Sequence, residues 1–135
     1  MKAAPFPVED RLAIHALVDL YGHVIDDRAF GRAGDIFTTG ARYDVTDFGM
    51  GLVEGLAAII ALWSDPAARH PIAHHATNIL VTPLGADRAA VRSKGLGVLA
   101  DGRVGSVLYE DIAIRTDHGW RIASRTALLR RSPAA

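Results

Sequence analysis

The hydrophobic period of this sequence changes along the chain, and that change limits the possible folds more than any other feature. Between residues 8 and 27, apolar residues such as Ile14 and Leu17 recur at helical spacing. From residue 74 onward the chain alternates as long strands do, and Asp101-Gly102 is a typical hairpin turn between two of them. Helices followed by an antiparallel meander predict an α+β domain with its helices on one face of the sheet.

The boundaries of the elements follow from the same periodicity. Predicted helices cover residues 8–27, 29–36 and 56–63, and predicted strands cover residues 41–45, 50–54, 74–82, 88–100, 104–116 and 120–130. Gly95, Gly97 and Gly105 lie inside strands and indicate bends. A sheet bent around the first helix forms a cone with an interior pocket, which suits a small-molecule site. A length of 135 residues fits one domain, residues 1–135.

Composition excludes several classes of function. The chain has 15 basic and 15 acidic residues, so it lacks the basic excess of a nucleic-acid-binding protein. It has no cysteine, which excludes disulfides and zinc–thiolate sites. The N-terminus lacks the apolar core of a signal peptide, and no stretch approaches the roughly 20 apolar residues of a membrane span. We therefore expect a cytoplasmic protein with neither a nucleic-acid nor a membrane partner.

Three of the six histidines lie in residues 70–82, around the start of a predicted strand. Strand alternation places His74 and Asn78 on one face, where burying both is costly without a purpose. Asp26, at the end of the first helix, is a candidate partner for His74. A carboxylate bound to one imidazole nitrogen fixes the tautomer and leaves the other nitrogen as a base. The alternatives are a solvated Asp26, or one paired with Arg28, and a purely structural His74.

A metal site is a second interpretation of these histidines. His70 and His74 are four residues apart and would converge on a helix, but Pro71 and the following strand oppose a helix there. No acidic residue lies nearby in sequence as a third ligand. Gly49, Gly51 and Gly55 do not have the spacing of a dinucleotide fingerprint. We expect neither a metal nor an organic cofactor.

Several motifs follow one another along nearly the whole chain. They are Leu20-Tyr21-Gly22-His23-Val24-Ile25-Asp26, Asp35-Ile36-Phe37, Gly55 opening a helix, His74-His75-Ala76-Thr77-Asn78, Tyr109-Glu110-Asp111, and Gly119-Trp120-Arg121-Ile122 with Arg125. Their order resembles the SnoaL-like family of the nuclear transport factor 2-like superfamily, in the branch of scytalone dehydratase and hexachlorocyclohexane dehydrochlorinase. The resemblance implies a cone-shaped α+β barrel, with N-terminal helices packed into a curved, mixed, mostly antiparallel sheet.

The resemblance also implies a site. Asp26 and His74 match the family's catalytic Asp–His dyad, and His75 is the alternative base if the register differs by one residue. The positions that it assigns to substrate binding are Tyr21, Tyr43, His75, Asn78 and Arg125. The implied activity is that of a cofactor-independent, dehydratase-like lyase acting on a small hydrophobic molecule. An isomerase or polyketide-cyclase-type enzyme using the same dyad, and a non-catalytic ligand-binding or dimerisation module, remain as alternatives.

Because proteins of this superfamily commonly associate, the resemblance predicts a homodimer or homotrimer. The outer face of the C-terminal strands, with Val107, Ile112 and Ile114, is the expected contact surface.

Overall fold

A computed structural model describes residues 5–131, and within them two α-helices and two short 3₁₀ helices accompany six strands. Residues 1–4 of the N-terminal segment, where we expect no signal peptide, lie outside the described range. The α-helices are α1 (Val8–Asp26) and α2 (Leu56–Ser64), and the 3₁₀ helices are Phe30–Asp35 and Thr46–Phe48. The strands are β1 (Phe37–Val45), β2 (Gly51–Glu54), β3 (Ala73–Pro83), β4 (Arg88–Val98), β5 (Val104–Thr116) and β6 (Gly119–Leu129).

The six strands form one open sheet in the order β2-β1-β6-β5-β4-β3. β1 runs parallel to β6, and every other pair is antiparallel. The sheet is therefore mixed and mostly antiparallel, with β2 and β3 as its edges. The helices pack against it, and the predicted cone-shaped α+β fold is confirmed. β1 begins earlier than predicted, at Phe37, because the chain from Ile36 onward pairs with β6: the backbone N–H of Ile122 donates to the Ile36 carbonyl at 2.7 Å.

Helix α1 supplies much of the core. Its apolar stripe is buried, as the helical spacing predicted. The stripe consists of Ile14, Leu17, Val18, Tyr21, Val24 and Ile25. At the other end of the helix, Asp10 accepts hydrogen bonds from the Trp120 indole N–H at 3.0 Å and from Arg115 at 2.7 Å. These contacts fasten the start of α1 to β5 and β6, so that its last turn lies over β3.

Side chains alternate between the two sheet faces, but β3 contains a bulge that reverses the alternation. The pairing of β3 with β4 shifts register between Thr77 and Leu80, and Asn78 has a left-handed φ of 55°. Before the bulge the inward side chain is Ala76, and after it the inward side chain is Ile79. The extra residue turns Asn78 and Leu80 outward. The prediction that Asn78 shares the face of His74 was therefore wrong.

One residue of the expected contact surface also faces the other way. Val107 and its neighbour Leu108 point to opposite faces of β5, and Val107 lines the interior cavity. Ile112 and Ile114 lie on the outer face and are partly exposed. Association of the chain through that face stays a prediction.

None of the helices between residues 5 and 131 has the length and apolar character needed to cross a bilayer.

Candidate active site

The last residue of α1 meets the start of β3 through a pair of hydrogen bonds. The Asp26 carboxylate lies 2.6 Å from His74 Nδ1 through one oxygen, and its other oxygen accepts from the His74 backbone N–H at 2.9 Å. Both side chains are mostly buried, with 23% of Asp26 and 15% of His74 exposed. Because a carboxylate accepts, Nδ1 carries the proton, and Nε2 is left as the basic nitrogen.

Local sequence makes this approach possible. β3 is an edge strand, so its outer backbone edge is free to bond the helix. Gly22 sits one turn before Asp26, and a Cβ at this position would lie 3.0 Å from the His74 carbonyl oxygen and 3.2 Å from the His74 Cβ. A glycine in mid-helix costs stability relative to alanine. Here it allows α1 to come close enough to β3 for Asp26 to reach His74.

His74 opens onto a cavity of about 170 Å³ between the helices and the concave face of the sheet. All three tyrosines of the chain, Tyr21, Tyr43 and Tyr109, line this cavity, and each is 5% exposed. The lining also includes Trp63, Arg69, His70, Phe48 and Met50. The cavity is thus mainly apolar, with a few polar groups that converge, as is typical of small-molecule sites.

Tyr21 and Tyr43 form a hydroxyl pair beside His74. Their oxygens are 2.6 Å apart, and the Tyr21 ring lies edge-on to the His74 ring at 6.3 Å. One hydroxyl donates to the other, so the second keeps a proton to donate to a ligand. Burial raises the pKa of Tyr21 well above its usual value, and burial raises the pKa of Tyr109 to about 12. Both phenols are therefore neutral hydrogen-bond donors near pH 7.

Arg125 does not occupy the position expected for a substrate-binding residue. Its guanidinium binds the Asp111 carboxylate through two hydrogen bonds of 2.8 Å, and neither side chain is exposed. The rings of Tyr21 and Tyr109 cover it, at 4.2 and 4.1 Å from the guanidinium carbon. Arg125 is not among the residues that line the cavity, and its contact with a substrate stays a prediction. Arg125 supports the two tyrosines.

Two further predicted contacts are also displaced. His75 points to the outer face of β3 and is exposed, since its neighbour His74 points inward. Asn78 is the bulge residue, and its side chain accepts a hydrogen bond from the Thr77 hydroxyl at 2.7 Å on that outer surface. Neither residue lines the cavity. Of the predicted site, Asp26, His74, Tyr21 and Tyr43 are brought together.

The residue-by-residue predictions missed Tyr109 and His70. Strand alternation could have found Tyr109, because it lies two residues before the inward Asp111. His70 is held by a 2.9 Å hydrogen bond between its Nε2 and the Trp63 carbonyl, so it lines the cavity from a loop that has no periodicity. Between residues 5 and 131, no group of three or more histidine, aspartate or glutamate side chains has a metal-binding arrangement.

Solved structures of other proteins share this fold. A protein of Novosphingobium aromaticivorans, provisionally named an aromatic ring hydroxylase, shares 31% identity over 95% of this chain and 94% of its own, with a TM-score of 0.77. A nuclear transport factor 2-like protein with a cystatin-like fold from the same organism shares 27% identity over 94% of this chain and 86% of its own, with a TM-score of 0.81.

LinA is a third similar structure, at 25% identity over 93% of this chain and 92% of its own, with a TM-score of 0.73. A type 2 LinA, named a hexachlorocyclohexane dehydrochlorinase, is 23% identical over 96% of this chain and 94% of its own, with a TM-score of 0.70, and shows the shared fold. No curated protein matches the sequence. The model of the SnoaL-like domain matches residues 7–126, which is most of the chain. The protein therefore belongs to the SnoaL-like domain family, within the nuclear transport factor 2-like superfamily.

Proposed function

We propose that this protein is a cofactor-independent lyase of the dehydratase type, acting on a small hydrophobic substrate in the cavity. The observation that carries the proposal is the 2.6 Å contact between Asp26 and His74 Nδ1 at the wall of a cavity. In this geometry His74 Nε2 is the base. Asp26 holds the tautomer and stabilises the imidazolium that forms after proton transfer.

The elimination balances with the groups present. His74 Nε2 takes a proton from a carbon next to a carbonyl group. The electron pair of that C–H bond becomes the new double bond. A hydroxyl group on the neighbouring carbon leaves with its bonding pair and takes up the proton from the His74 imidazolium, so that one water molecule is released and Nε2 is free again. The spare proton of the Tyr21–Tyr43 pair hydrogen-bonds the carbonyl oxygen, where negative charge develops. LinA type 2, a neighbour with the same fold, is named a dehydrochlorinase, and its name describes an elimination.

The test is turnover in variants of the dyad. We expect His74→Ala and Asp26→Asn each to reduce elimination from a panel of small cyclic hydroxy-carbonyl compounds, followed by mass spectrometry as loss of water. Removing a general base costs about 10²- to 10⁴-fold. The control is His75→Ala, which removes an exposed imidazole from the adjacent position. Near-normal turnover in either dyad variant, with the fold intact by circular dichroism, would contradict the mechanism.

An isomerase or aldol-type cyclase is the second candidate, favoured by the tyrosine pair. A donor pair aimed at a carbonyl oxygen stabilises an enolate whether or not a leaving group is present. Product mass separates the candidates, since elimination loses a molecule of water or acid and isomerisation conserves mass. A separated dyad and a pocket filled by side chains would favour the non-catalytic alternative. The 2.6 Å contact and the cavity between the described residues support the enzyme instead.

A further inference from the structure

The described residues that line the cavity carry one fixed charge, and it is positive. Among the described residues that line it, Arg69 is the sole side chain with a fixed charge, and none is acidic. The Asp26 carboxylate is turned toward His74 and does not line the cavity. The remaining polar lining groups are phenols and imidazoles, of which the neutral phenols donate hydrogen bonds. A cleft with this inventory attracts an anion and has no group that would pair with a cationic substrate.

Arg69 lies at the open end of the cavity. It is exposed, and at the same end Phe48 and Met50 are 39% and 49% exposed. Tyr21 and Tyr43 lie at the buried end. Within residues 5–131, Arg69 makes neither an ion pair nor a side-chain hydrogen bond, whereas Arg32, Arg42 and Arg103 are each paired with a carboxylate. A guanidinium at the mouth of a cavity, with no protein anion bound to it, is available to a ligand.

The size of the cavity limits what can bind. A cavity of about 150 Å³ holds a benzene-sized molecule, and this cavity measures about 170 Å³. One ring therefore fits in the cavity, whose lining includes Trp63, the three tyrosines and Arg69. A single guanidinium compensates the one charge of a carboxylate, whereas a phosphate dianion would keep an unpaired charge.

We propose that the substrate is a small cyclic carboxylic acid, bound as its carboxylate to Arg69, with a carbonyl or hydroxyl oxygen at the Tyr21–Tyr43 pair. Calling this acid a substrate rests on the proposed function, but its binding preference is measurable without turnover. Arg69 is then a specificity-determining residue, and it selects acids from the neutral compounds that would otherwise fit the same apolar cavity.

The experiment compares 4-hydroxybenzoate with 4-hydroxybenzamide, its neutral isostere, by isothermal titration calorimetry at low ionic strength. We expect the wild-type protein to bind the acid about five- to tenfold more tightly than the amide, a ratio consistent with one exposed charge-assisted contact. Arg69→Gln should bring the ratio close to one, and added salt should reduce it in the wild type. Arg130→Gln is the matched control, since it removes the same charge from an exposed position away from the cavity.

Equal affinity for the two probes in the wild-type protein would overturn the proposal. Loss of the preference to the same extent in Arg69→Gln and Arg130→Gln would also overturn it, because the effect would then be one of net charge. Failure of both probes to bind at millimolar concentration would count against it too. His74→Ala separates this inference from the proposed function. The variant should keep the preference for the acid while losing turnover, so a failed mechanism and a failed substrate class give different results.

Discussion

At the scale of single residues, the site depends on where side chains are absent as well as on where they are present. Gly22 leaves room for the His74 backbone, and Gly95 leaves room for the Tyr109 ring, with which an added Cβ would overlap. Neither glycine has a positive φ, so neither is needed for backbone conformation. Both glycines are explained by close approach, and each lies beside a residue of the cavity.

We predict that Gly22→Ala destabilises the fold even though alanine is the better helix former. The gain in helix propensity is about 1 kcal/mol, and overpacking against the His74 backbone costs about 1–3 kcal/mol. The net loss should appear in urea unfolding, and the NMR resonance of the His74 Nδ1 proton should shift as the contact with Asp26 changes. Gly31→Ala is the control, because nothing lies within 4 Å of a Cβ there. A net gain in stability would contradict this account.

At the scale of elements, the site lies between the end of α1 and the concave face of the sheet. Directly opposed residues of β5 and β6, Asp111 and Arg125, form a buried ion pair below the cavity tyrosines. Burying two charges is costly unless their hydrogen bonds are well formed. The two bonds between Arg125 and Asp111 both measure 2.8 Å, while Nη1 of Arg125 has no partner among the described residues. The pair holds Tyr21 of the helix and Tyr109 of the sheet against one guanidinium, and so it sets the spacing between the two elements.

The buried pair should be far more sensitive to substitution than an exposed one. Arg125→Met leaves Asp111 without its partner, and we expect a loss of about 3–5 kcal/mol in the free energy of unfolding, measured in urea. Arg42→Met is a matched control, because Arg42 of β1 also lies directly opposite its partner, Glu54, on the neighbouring strand β2. That pair is about 60% exposed on both sides, and its loss should cost no more than about 1 kcal/mol.

Adding Asp111→Leu to Arg125→Met should recover part of the lost stability, since no unpaired charge then remains buried. Equal losses in Arg125→Met and Arg42→Met would show that burial of the pair has no consequence.

At the scale of the whole molecule, the buried tyrosines couple stability to alkaline pH. The pKa of Tyr109 is about 12 in the folded protein because burial disfavours the phenolate, and it is near 10.0 when the chain is unfolded. Burial raises the pKa of Tyr21 as well. Between these two pKa values the unfolded chain has lost the proton and the folded chain has kept it. The contribution of Tyr109 to the free energy of unfolding is therefore fully present below pH 10 and is lost as pH rises toward 12.

We expect the free energy of unfolding to fall by about 1.4 kcal/mol per pH unit for each such tyrosine above pH 10. Urea midpoints measured across this range should show the slope. Tyr109→Phe should flatten it, because the variant has no phenol to ionise at that position. An unchanged slope in the variant would mean that Tyr109 ionises equally easily in both states.

Periodicity and composition were enough to predict the fold class, the extents of α1 and of the strands from β3 onward, and the absence of disulfides. These features depend on neighbouring residues, whose spacing can be read directly. Motif order was enough to predict the family. It also selected Asp26 and His74, which lie in hydrogen-bond contact, while their role stays a prediction. Side-chain alternation also placed His75 opposite His74, on the outer face.

Long-range packing decided the rest. The bulge at Asn78 depends on how β3 pairs with β4, and the pairing of Arg125 with Asp111 depends on how β5 pairs with β6. The residues around each of these features do not predict it, because the strand pairing joins residues far apart in the chain. The reach of Asp26 to His74 likewise depends on Gly22 and on the path of α1 across the sheet. A site at the junction of a helix and an edge strand is assembled only when the two elements are packed together.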